Sequence, residues 1–325
     1  MQFRPHNYQS YCIDRLLELP AVGLFLDMGL GKTVTTLTAV KELKYHRFQV
    51  CKVLVIAPKK VAEATWSREA EKWDHLRDMR VSTVLGSRIK REKALARPAD
   101  LYVINRENVE WLVDYYRNDW PFDMVVIDES SSFKDQSTKR WKALKRVRPK
   151  IHRIVLLTGT PAPNTLIDLW AQLYLLDEGA RLGRTIGGFR ERYFQPDKRN
   201  AERVFTYKPK MGTEQAVQDL IGDICISMKA EDYLTLPECV SVDVPVVLDS
   251  KAAKAYTTME REMLLEVAED TITADTAAVL TNKLLQLAGG AVYNAEHEAQ
   301  VIHSCKIEAF LELVESLAGK SALVL

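Results

Sequence analysis

The chain has 325 residues, a length that predicts about two domains. Its 45 lysines and arginines balance 44 aspartates and glutamates, and 47% of its residues are hydrophobic. This composition excludes an intrinsically disordered protein, and the net charge of +1 excludes a protein that binds nucleic acid through its overall charge alone.

The cysteines and the amino terminus indicate a compartment. The five cysteines are scattered without a C-x-x-C spacing, which favours neither a zinc site nor a disulfide framework. The first residues lack an apolar stretch of signal-peptide length, and no run approaches the roughly 18 apolar residues of a membrane span. We therefore expect a protein of the reducing cytoplasm that has no membrane partner.

Short apolar runs, rich in β-branched residues, alternate with longer stretches of helical periodicity. We predict strands over residues 23–26, 53–57, 101–104, 124–127 and 154–157. Their hydrophobicity is continuous rather than alternating, which is typical of strands buried on both faces of a parallel sheet. The pattern therefore predicts an α/β fold in which helices flank a parallel sheet.

A glycine-rich segment follows the first predicted strand and opens a predicted helix. It comprises Asp27, Met28, Gly29, Leu30, Gly31, Lys32 and Thr33. Backbone N–H groups at such a turn attract phosphate, and the helix dipole adds to the attraction. In the P-loop pattern G-x-x-x-x-G-K-[ST] the lysine reaches the β- and γ-phosphates and the hydroxyl binds Mg²⁺, although Leu26 stands here where the pattern has its first glycine. The alternative is a chance Gly-Lys-Thr in an ordinary strand-to-helix turn.

Two adjacent carboxylates, Asp128 and Glu129, end the predicted strand 124–127. The carboxyl ends of parallel strands line the ligand crevice of such sheets. We therefore expect Asp128 to hold Mg²⁺ and Glu129 to orient or deprotonate the attacking water. A solvated acidic turn is the alternative. Together with the glycine-rich segment, the pair predicts an ATP-hydrolysing site in which Lys32, Asp128 and Glu129 are catalytic.

The chain changes character after residue 165. Apolar residues recur at helical spacing over residues 166–176, and Gly179 is a stop signal. We then predict a loop, a helical pattern to about residue 228, a strand over 240–248, and helices over about 251–290 and 305–318. Residues 322–325 (ALVL) read as the opening of a buried strand, so we expect this chain to be the amino-terminal part of a longer protein.

Several motifs follow one another in an order that resembles a known superfamily. Residues 27–33 (DMGLGKT), 128–131 (DESS) and 157–161 (LTGTP) resemble motifs I, II and III of superfamily-two helicases and translocases. The continuation 158–164 (TGTPAPN), followed by residues 168–170 (DLW), is similar to the Swi/Snf-like branch. The compact form resembles bacteriophage and prophage members of that branch, and DESS replaces the commoner DEAH.

The resemblance implies a RecA-like P-loop NTPase lobe over residues 1–165 and a mostly helical extension over 166–237. Residues 238–325 would then form a helical lead-in and the first strand of a truncated second RecA-like lobe. Gln9 lies where the family places its adenine-reading glutamine, and the alternative is a surface glutamine beside a buried Tyr8. Thr158, Gly159 and Thr160 match motif III, which couples the nucleotide to the nucleic-acid groove. Alternatively, the threonine hydroxyls cap the following helix.

The resemblance also implies contacts with duplex DNA. Lys59 and Lys60 match the position of motif Ia, and Asn105 and Arg106 resemble motif Ib. Residues 139–153 form a basic run without Asp or Glu, which indicates either a DNA contact or a solvated helix face. Its cations are Lys139, Arg140, Lys142, Lys145, Arg146, Arg148, Lys150 and Arg153. All of these contacts would bind the DNA backbone rather than its bases.

The resemblance implies a motor that uses ATP and Mg²⁺ to move along DNA. In this family a second lobe supplies arginine fingers, and the chain contains no Gln-x-x-Gly-Arg-x-x-Arg stretch. We therefore expect weak ATP binding and slow turnover unless the second lobe is supplied in cis or in trans. The alternative is a single-lobe, ATP-dependent DNA-binding or regulatory module. An RNA helicase is disfavoured because the DEAD-box pattern is absent.

Overall fold

The computed structural model describes residues 1–197, 206–234, 241–269, 274–294 and 297–316. The chain divides into two units, Met1–Leu236 and Pro237–Leu325. Across the described ranges, no helix combines the length and the apolar character that a membrane crossing requires.

A parallel sheet forms the centre of the first unit. The strands of this unit are β1 (Ala21–Leu26), β2 (Val53–Ala57), β3 (Val81–Val84), β4 (Leu101–Asn105), β5 (Met124–Asp128), β6 (Arg153–Thr158), β7 (Phe194–Pro196), β8 (Tyr207–Pro209) and β9 (Cys225–Met228). Seven of them form one sheet in the order β3-β4-β2-β5-β6-β1-β9, with every neighbouring pair parallel. The short strands β7 and β8 form an antiparallel hairpin.

Helices cover both faces of this sheet. The helices of the first unit are α1 (Asn7–Glu18), α2 (Lys32–Lys41), α3 (Trp66–Lys72), α4 (Arg88–Ala96), α5 (Val109–Tyr116), α6 (Lys139–Val147), α7 (Asp168–Asp177), α8 (Ile186–Tyr193) and α9 (Thr213–Ile221). The apolar core on one face contains side chains of α5, α6 and α7, and the core on the other face contains side chains of α1, α2 and α3. The predicted α/β fold, a parallel sheet between helices, is confirmed.

The two cores explain why the predicted strands are continuously apolar. In β2, Leu54 and Ile56 belong to the core on one face, while Val53, Val55 and Ala57 belong to the core on the other. Successive side chains of a strand point to opposite faces, so a strand covered on both sides has no solvent-facing position for a polar residue. All five predicted strands are confirmed, with each boundary within two residues of the structure.

The sequence did not predict two strands, β3 and β9, which lie at the edges of the sheet. In β3, buried and half-buried residues alternate, so no continuous apolar run marks it. The helical pattern predicted to about residue 228 is wrong at its end, because residues 225–228 form β9 beside β1. None of the four residues of β9 is fully buried, since an edge strand has a neighbour on one side only. β9 places a segment that is distant in sequence next to the glycine-rich turn.

The second unit contains α10 (Ser250–Glu269), α11 (Ala274–Gly289), β10 (Ala291–Tyr293), β11 (Ala299–Val301) and α12 (Cys305–Ser316). The strand predicted over 240–248 is wrong for the described residues 241–248, which form no strand. Within that segment Val242, Val244 and Val247 are exposed, so the alternating valines do not form the buried face of a strand. The strand expected at 322–325 lies outside the described residues.

Candidate nucleotide site

The glycine-rich segment forms the turn between β1 and α2. Gly29 and Gly31 have φ values of 87° and 77°, a left-handed conformation that favours glycine. A Cβ atom at Gly31 would stand 2.5 Å from Gln9 Nε2, so steric contact also favours glycine at this position. The helix α2 begins immediately afterwards, at Lys32. Its first-turn N–H groups have no partner within the helix, which makes the turn a binding site for an anion.

Neighbouring segments hold this turn from two sides. The Asp27 N–H donates to Met228 O (3.1 Å), and Asp27 Oδ2 accepts from the Ala230 N–H (2.9 Å). On the other side the loop after β6 approaches closely, and a Cβ atom at Gly159 would lie 3.4 Å from Leu26 O. The turn is therefore held between the end of β9 and the end of β6. The Asp27 carboxylate contributes through its bond to the Ala230 N–H.

Lys32 lies over the turn. Its Nζ donates to Leu26 O (2.6 Å) and Asp27 O (3.2 Å). Burial lowers the pKa of Lys32, and the negative charges of Glu129, Asp128 and Asp27 act in the opposite direction without reversing it. The ammonium group is therefore partly desolvated and lies in the field of the two carboxyl groups that end β5.

Asp128 and Glu129 occupy the carboxyl end of β5. Asp128 is only 9% exposed; its Oδ2 accepts from Trp66 Nε1 (2.9 Å), and its Oδ1 accepts from the Glu129 N–H (3.1 Å). Burial raises the pKa of Asp128, while the hydrogen bond from Trp66 opposes that rise. Glu129 has a φ of 52°, which is uncommon for a residue other than glycine. A solvated acidic turn is therefore the wrong description of Asp128.

One cavity of about 700 Å³ brings most of the predicted nucleotide-binding residues together. Those that line it are Gln9, Met28, Gly29, Gly31, Lys32, Thr33, Asp128 and Glu129. Two predicted residues lie behind it instead: Leu30 is fully buried in the core, and Asp27 bonds to the segment after β9. Phe3, Arg4 and Trp73 complete part of the wall.

The donor set of this cavity fits Mg²⁺. The Thr33 hydroxyl and the Asp128 carboxyl group both line it, and both are oxygen ligands. Within the described residues no cluster of three or more His, Cys, Asp or Glu side chains forms a complete metal site. Mg²⁺ binds characteristically through one or two protein oxygens, with phosphates and water as the remaining ligands, so the sparse donor set suits it.

Gln9 is a buried residue rather than a surface one, because it is only 6% exposed. Its Nε2 donates to Leu30 O (3.2 Å), and its Oε1 accepts from the His6 N–H (3.0 Å). The side chain thus joins the segment before α1 to the glycine-rich turn. The alternative of a surface glutamine is wrong, although the Tyr8 beside it is buried as expected.

Thr158, Gly159 and Thr160 form the end of β6 and the start of its loop. Thr158 is fully buried, and its Oγ1 accepts from the Thr160 N–H (3.1 Å). The following helix, α7, begins at Asp168 after Ile167, and no side-chain hydrogen bond caps it. The alternative that these hydroxyls cap that helix is therefore wrong. The segment instead packs against the glycine-rich turn at Gly159.

The four predicted DNA contacts differ in exposure. Lys59 and Lys60 lie on the surface just after β2, with Lys59 Nζ 4.0 Å from Glu63 Oε1. Asn105 is 7% exposed, and its Nδ2 donates to Glu107 Oε2 (2.7 Å). Arg106 Nε donates to the same carboxylate (2.9 Å). The structure thus exposes the two lysines and pairs the other two side chains with Glu107.

The basic run 139–153 is not one uniform surface. Arg148 donates to Leu175 O (2.5 Å) and Leu176 O (2.7 Å) in the last turn of α7. Arg153 donates to Leu17 O (2.9 Å) and to two further carbonyls at the end of α1. Cations that bond the last carbonyls of a helix stabilise its end. Both descriptions offered by the sequence, a DNA contact and a solvated face, are therefore wrong for these two arginines.

Sequence reasoning did not predict the contact that Trp66 makes at this site. Trp66 falls at helical apolar spacing in the sequence, which predicts a core position, and its ring is fully buried. Its indole N–H, however, bonds the Asp128 carboxyl group across 62 positions of sequence. A buried tryptophan usually finds a partner for its N–H group, so the sequence indicated that some acceptor existed. Nothing in the sequence indicated which one.

Comparison with known proteins identifies the family. A model of the SNF2-related domain matches residues 8–290 of the chain. The chain belongs to this family. Protein p41 of Acyrthosiphon pisum secondary endosymbiont phage 1 is 36% identical over 329 residues, which cover 99% of this chain and 72% of that protein. The predicted resemblance to the Swi/Snf-like branch, including phage-encoded members, is confirmed.

Further relatives of this SNF2-related domain are larger proteins. The Mus musculus DNA excision repair protein ERCC-6-like is 32% identical over 188 residues, which cover 55% of this chain and 15% of that protein. The solved SWI2/SNF2 ATPase core of Sulfolobus solfataricus in complex with dsDNA has the same fold, with a TM-score of 0.59 and 22% identity. The match covers 98% of this chain and 65% of that core.

Proposed function

We propose that this SNF2-related domain binds ATP with Mg²⁺, hydrolyses it, and couples hydrolysis to movement along duplex DNA. The observation that carries the proposal is the cavity at which the glycine-rich turn, Lys32, Thr33 and the carboxyl groups of Asp128 and Glu129 meet. Phosphoryl transfer to water requires hydrogen-bond donors that bind the phosphates, a positive charge and acidic side chains, and all three meet at this cavity.

Each group at the cavity has a chemical role in this proposal. The first-turn N–H groups of α2 and the Lys32 ammonium bind the β- and γ-phosphates, and Thr33 and Asp128 hold Mg²⁺. When bound, the ion neutralises the charge that develops on the phosphate oxygens. Glu129 orients the attacking water and accepts its proton. Trp66 fixes the orientation of Asp128 through its hydrogen bond to Oδ2.

Gln9 retains the capacity to bind the adenine edge. A glutamine amide has two N–H donors and an oxygen with two lone pairs. Among the described residues, Leu30 O takes one donor and the His6 N–H takes one lone pair. One donor and one lone pair remain, which is the complement of the adenine amino group and its neighbouring ring nitrogen. The protein bonds hold the amide at the cavity before a nucleotide arrives.

Lys59 and Lys60 are the proposed contacts to the DNA backbone on this unit, with Asn105 and Arg106 beside them. Both lysines follow β2, whereas Asn105 ends β4 and Arg106 follows it. β4 is the neighbour of β2 in the sheet. The likeness to an archaeal core that was solved with dsDNA supports duplex DNA as the partner. Thr158, Gly159 and Thr160 are the proposed coupling segment, because its central residue, Gly159, approaches the glycine-rich turn closely.

We further propose that full activity requires a second RecA-like lobe, in cis or in trans. Arginine fingers in related enzymes raise turnover by roughly 10³–10⁵. The chain contains no Gln-x-x-Gly-Arg-x-x-Arg stretch, which is where this family carries such arginines. We therefore expect slow turnover from this chain alone.

ATP turnover with and without duplex DNA tests the proposed function. We expect slow hydrolysis that Glu129→Gln lowers by at least about 100-fold, with ATP binding retained, since general-base catalysis contributes roughly 10²–10⁴. Lys32→Ala is expected to weaken ATP binding itself. Turnover that survives in Glu129→Gln would overturn the catalytic assignment. ATP-dependent DNA binding without any turnover, even when a second lobe is added, would indicate a binding module instead of a motor.

A further inference from the structure

A buried glutamine joins two loops at the carboxyl edge of the sheet. Gln172, in α7, has no exposed surface. Its Nε2 donates to Pro161 O (2.6 Å) in the loop after β6 and to Asp168 O (2.9 Å) in the first turn of α7. Its Oε1 accepts from Ser130 Oγ (2.8 Å) in the turn after β5. Ser130 is also fully buried.

A shift of one loop relative to the other strains this chain of buried hydrogen bonds. Both amide protons of Gln172 and the Ser130 hydroxyl have partners in this bridge. A buried polar group that loses its partner costs about 1–3 kcal/mol. Other contacts tie α7 to the same region: Lys134 Nζ lies 3.6 Å from Asp168 Oδ2, and Trp141 Nε1 donates to Ala171 O (2.8 Å).

One end of the bridge is covalently next to Glu129. Glu129 has the left-handed φ of 52°, and its carbonyl accepts from the Ser132 N–H (3.0 Å) in the 3₁₀ turn Ser130–Phe133. A residue other than glycine keeps such a conformation only where its surroundings impose it. The buried bond from Ser130 to Gln172 anchors the first residue of that turn, so it contributes to the direction of the Glu129 side chain.

The other end of the bridge belongs to the loop that touches the glycine-rich turn. Pro161 follows Thr160, whose N–H donates to Thr158 Oγ1 (3.1 Å), and Gly159 packs against Leu26 O. A displacement of this loop therefore acts on Pro161 O, and through Gln172 it acts on Ser130.

We propose that Gln172 is a positioning residue for Glu129, and that its bond to Ser130 transmits the position of the loop after β6 to that carboxylate. This role presupposes the proposed hydrolysis of ATP at Glu129. Gln172 touches neither nucleotide nor water in this mechanism. It holds the backbone that directs Glu129 and changes that direction when the loop moves.

Amide hydrogen exchange tests the mechanical part of this proposal without relying on activity. Ser130→Ala removes one hydroxyl in the turn after β5. We expect it to accelerate exchange at Asn164 and Asp168, in and just after the distant loop. Conversely, Gln172→Met in α7 is expected to accelerate exchange at Ser132, whose N–H bonds Glu129 O. Ser132→Ala is the matched control, because Ser132 Oγ is buried without a hydrogen-bond partner among the described residues.

Turnover measured on the same variants tests the catalytic part. We expect Ser130→Ala and Gln172→Met to lower kcat about tenfold, the equivalent of one weakened hydrogen bond, while ATP affinity stays within about twofold because the phosphate-binding groups are untouched. Ser132→Ala should change neither quantity.

Two results would overturn the proposal. The first is exchange in Ser130→Ala that matches Ser132→Ala, and the second is an unchanged kcat in both bridge variants. A wild-type chain that binds but never hydrolyses ATP would instead contradict the proposed function. Hydrogen exchange would still decide whether the bridge links the two loops, because a change on one side would accelerate exchange on the other side.

Discussion

The nucleotide side and the proposed nucleic-acid side of the sheet's carboxyl edge are built differently. On the nucleotide side, Gln9 and Asp128 are buried, and each side chain makes two hydrogen bonds. On the nucleic-acid side, Lys59 and Lys60 extend into solvent. A buried polar group depends on specific partners, whereas an exposed cation acts through a field that salt screens. Single substitutions should therefore have large effects on the first side and small, salt-dependent effects on the second.

Among the substitutions that test this contrast, the largest effect is expected from Gly31→Ala. The positive φ of Gly31 costs a residue with a side chain about 1–2 kcal/mol, and the new Cβ atom would also meet Gln9 Nε2 at 2.5 Å. Because two hydrogen bonds hold that amide, the methyl group must displace it from the cavity. We expect ATP affinity, measured by nucleotide titration, to fall at least about tenfold further than in the control Gly29→Ala.

Gly29→Ala is a matched control because Gly29 also has a positive φ, 87°, while its Cβ atom would lie 3.7 Å from the nearest atom, Leu234 Cδ1. Equal losses of ATP affinity in the two variants would mean that backbone strain alone accounts for the effect. The contact between Gly31 and Gln9 would then have no part in nucleotide binding.

An intermediate effect is expected from Trp66→Phe, which keeps a buried ring and removes the N–H donor to Asp128. The carboxyl group loses one of its two orienting bonds, so we expect the Mg²⁺ concentration for half-maximal turnover to rise roughly threefold to tenfold, equivalent to about 1 kcal/mol. The measurement is a Mg²⁺ titration of the ATPase rate.

Trp120→Phe provides the comparison for Trp66→Phe. The Trp120 ring is also buried, and its Nε1 donates to Phe122 O (2.9 Å), away from the nucleotide cavity. It should reduce stability without changing the Mg²⁺ requirement. If both variants shift the Mg²⁺ titration alike, Trp66 contributes only packing.

The smallest effect is expected from Lys60→Ala on the nucleic-acid side. Loss of one phosphate contact lowers the slope of log affinity against log salt by about 0.9. We expect DNA affinity to fall only a few-fold at moderate salt, with ATP affinity unchanged. Binding to duplex DNA over a series of salt concentrations measures the slope.

Lys52, at the other end of β2, offers a control. It is an exposed lysine that precedes β2, so it lies at the opposite, amino end of the strand that Lys60 follows. Lys52→Ala should leave the salt slope unchanged. A loss of slope in both variants would show that DNA responds to the general charge of the surface rather than to the carboxyl edge.

How far the sequence predicted the fold depended on the position of each strand in the sheet. β2 and β5 are buried on both faces, so every side chain except that of the terminal Asp128 is apolar, and the continuous apolar run marks each strand in the sequence. β3 and β9 lie at the edges, where a neighbour covers one side only, and polar residues are tolerated. Residues 241–248 show the converse error, because alternating valines without a pairing strand remain exposed.

The basic run shows why charge counts alone mislead. Residues 139–153 contain cations and no acids, which in sequence suggests a surface. Arg148 instead bonds a carbonyl of α7, and Arg153 bonds a carbonyl of α1. Each helix is distant in sequence from the arginine that reaches it. The carboxyl-terminal end of a helix carries unpaired carbonyl groups, and the sequence does not indicate which cation will bond them.

Local chemistry determined what the sequence alone could specify. The backbone freedom of glycine, the dipole of a new helix and the order of Lys32, Asp128 and Glu129 along the chain indicated a nucleotide site, because those properties depend on neighbouring residues. Tertiary structure decided the partners: Trp66 for Asp128, Gln172 for Ser130, and the end of β9 for Asp27. Such pairs join residues 42 to 203 positions apart. A buried hydrogen bond is set by which polar groups packing brings together, and no local pattern encodes that.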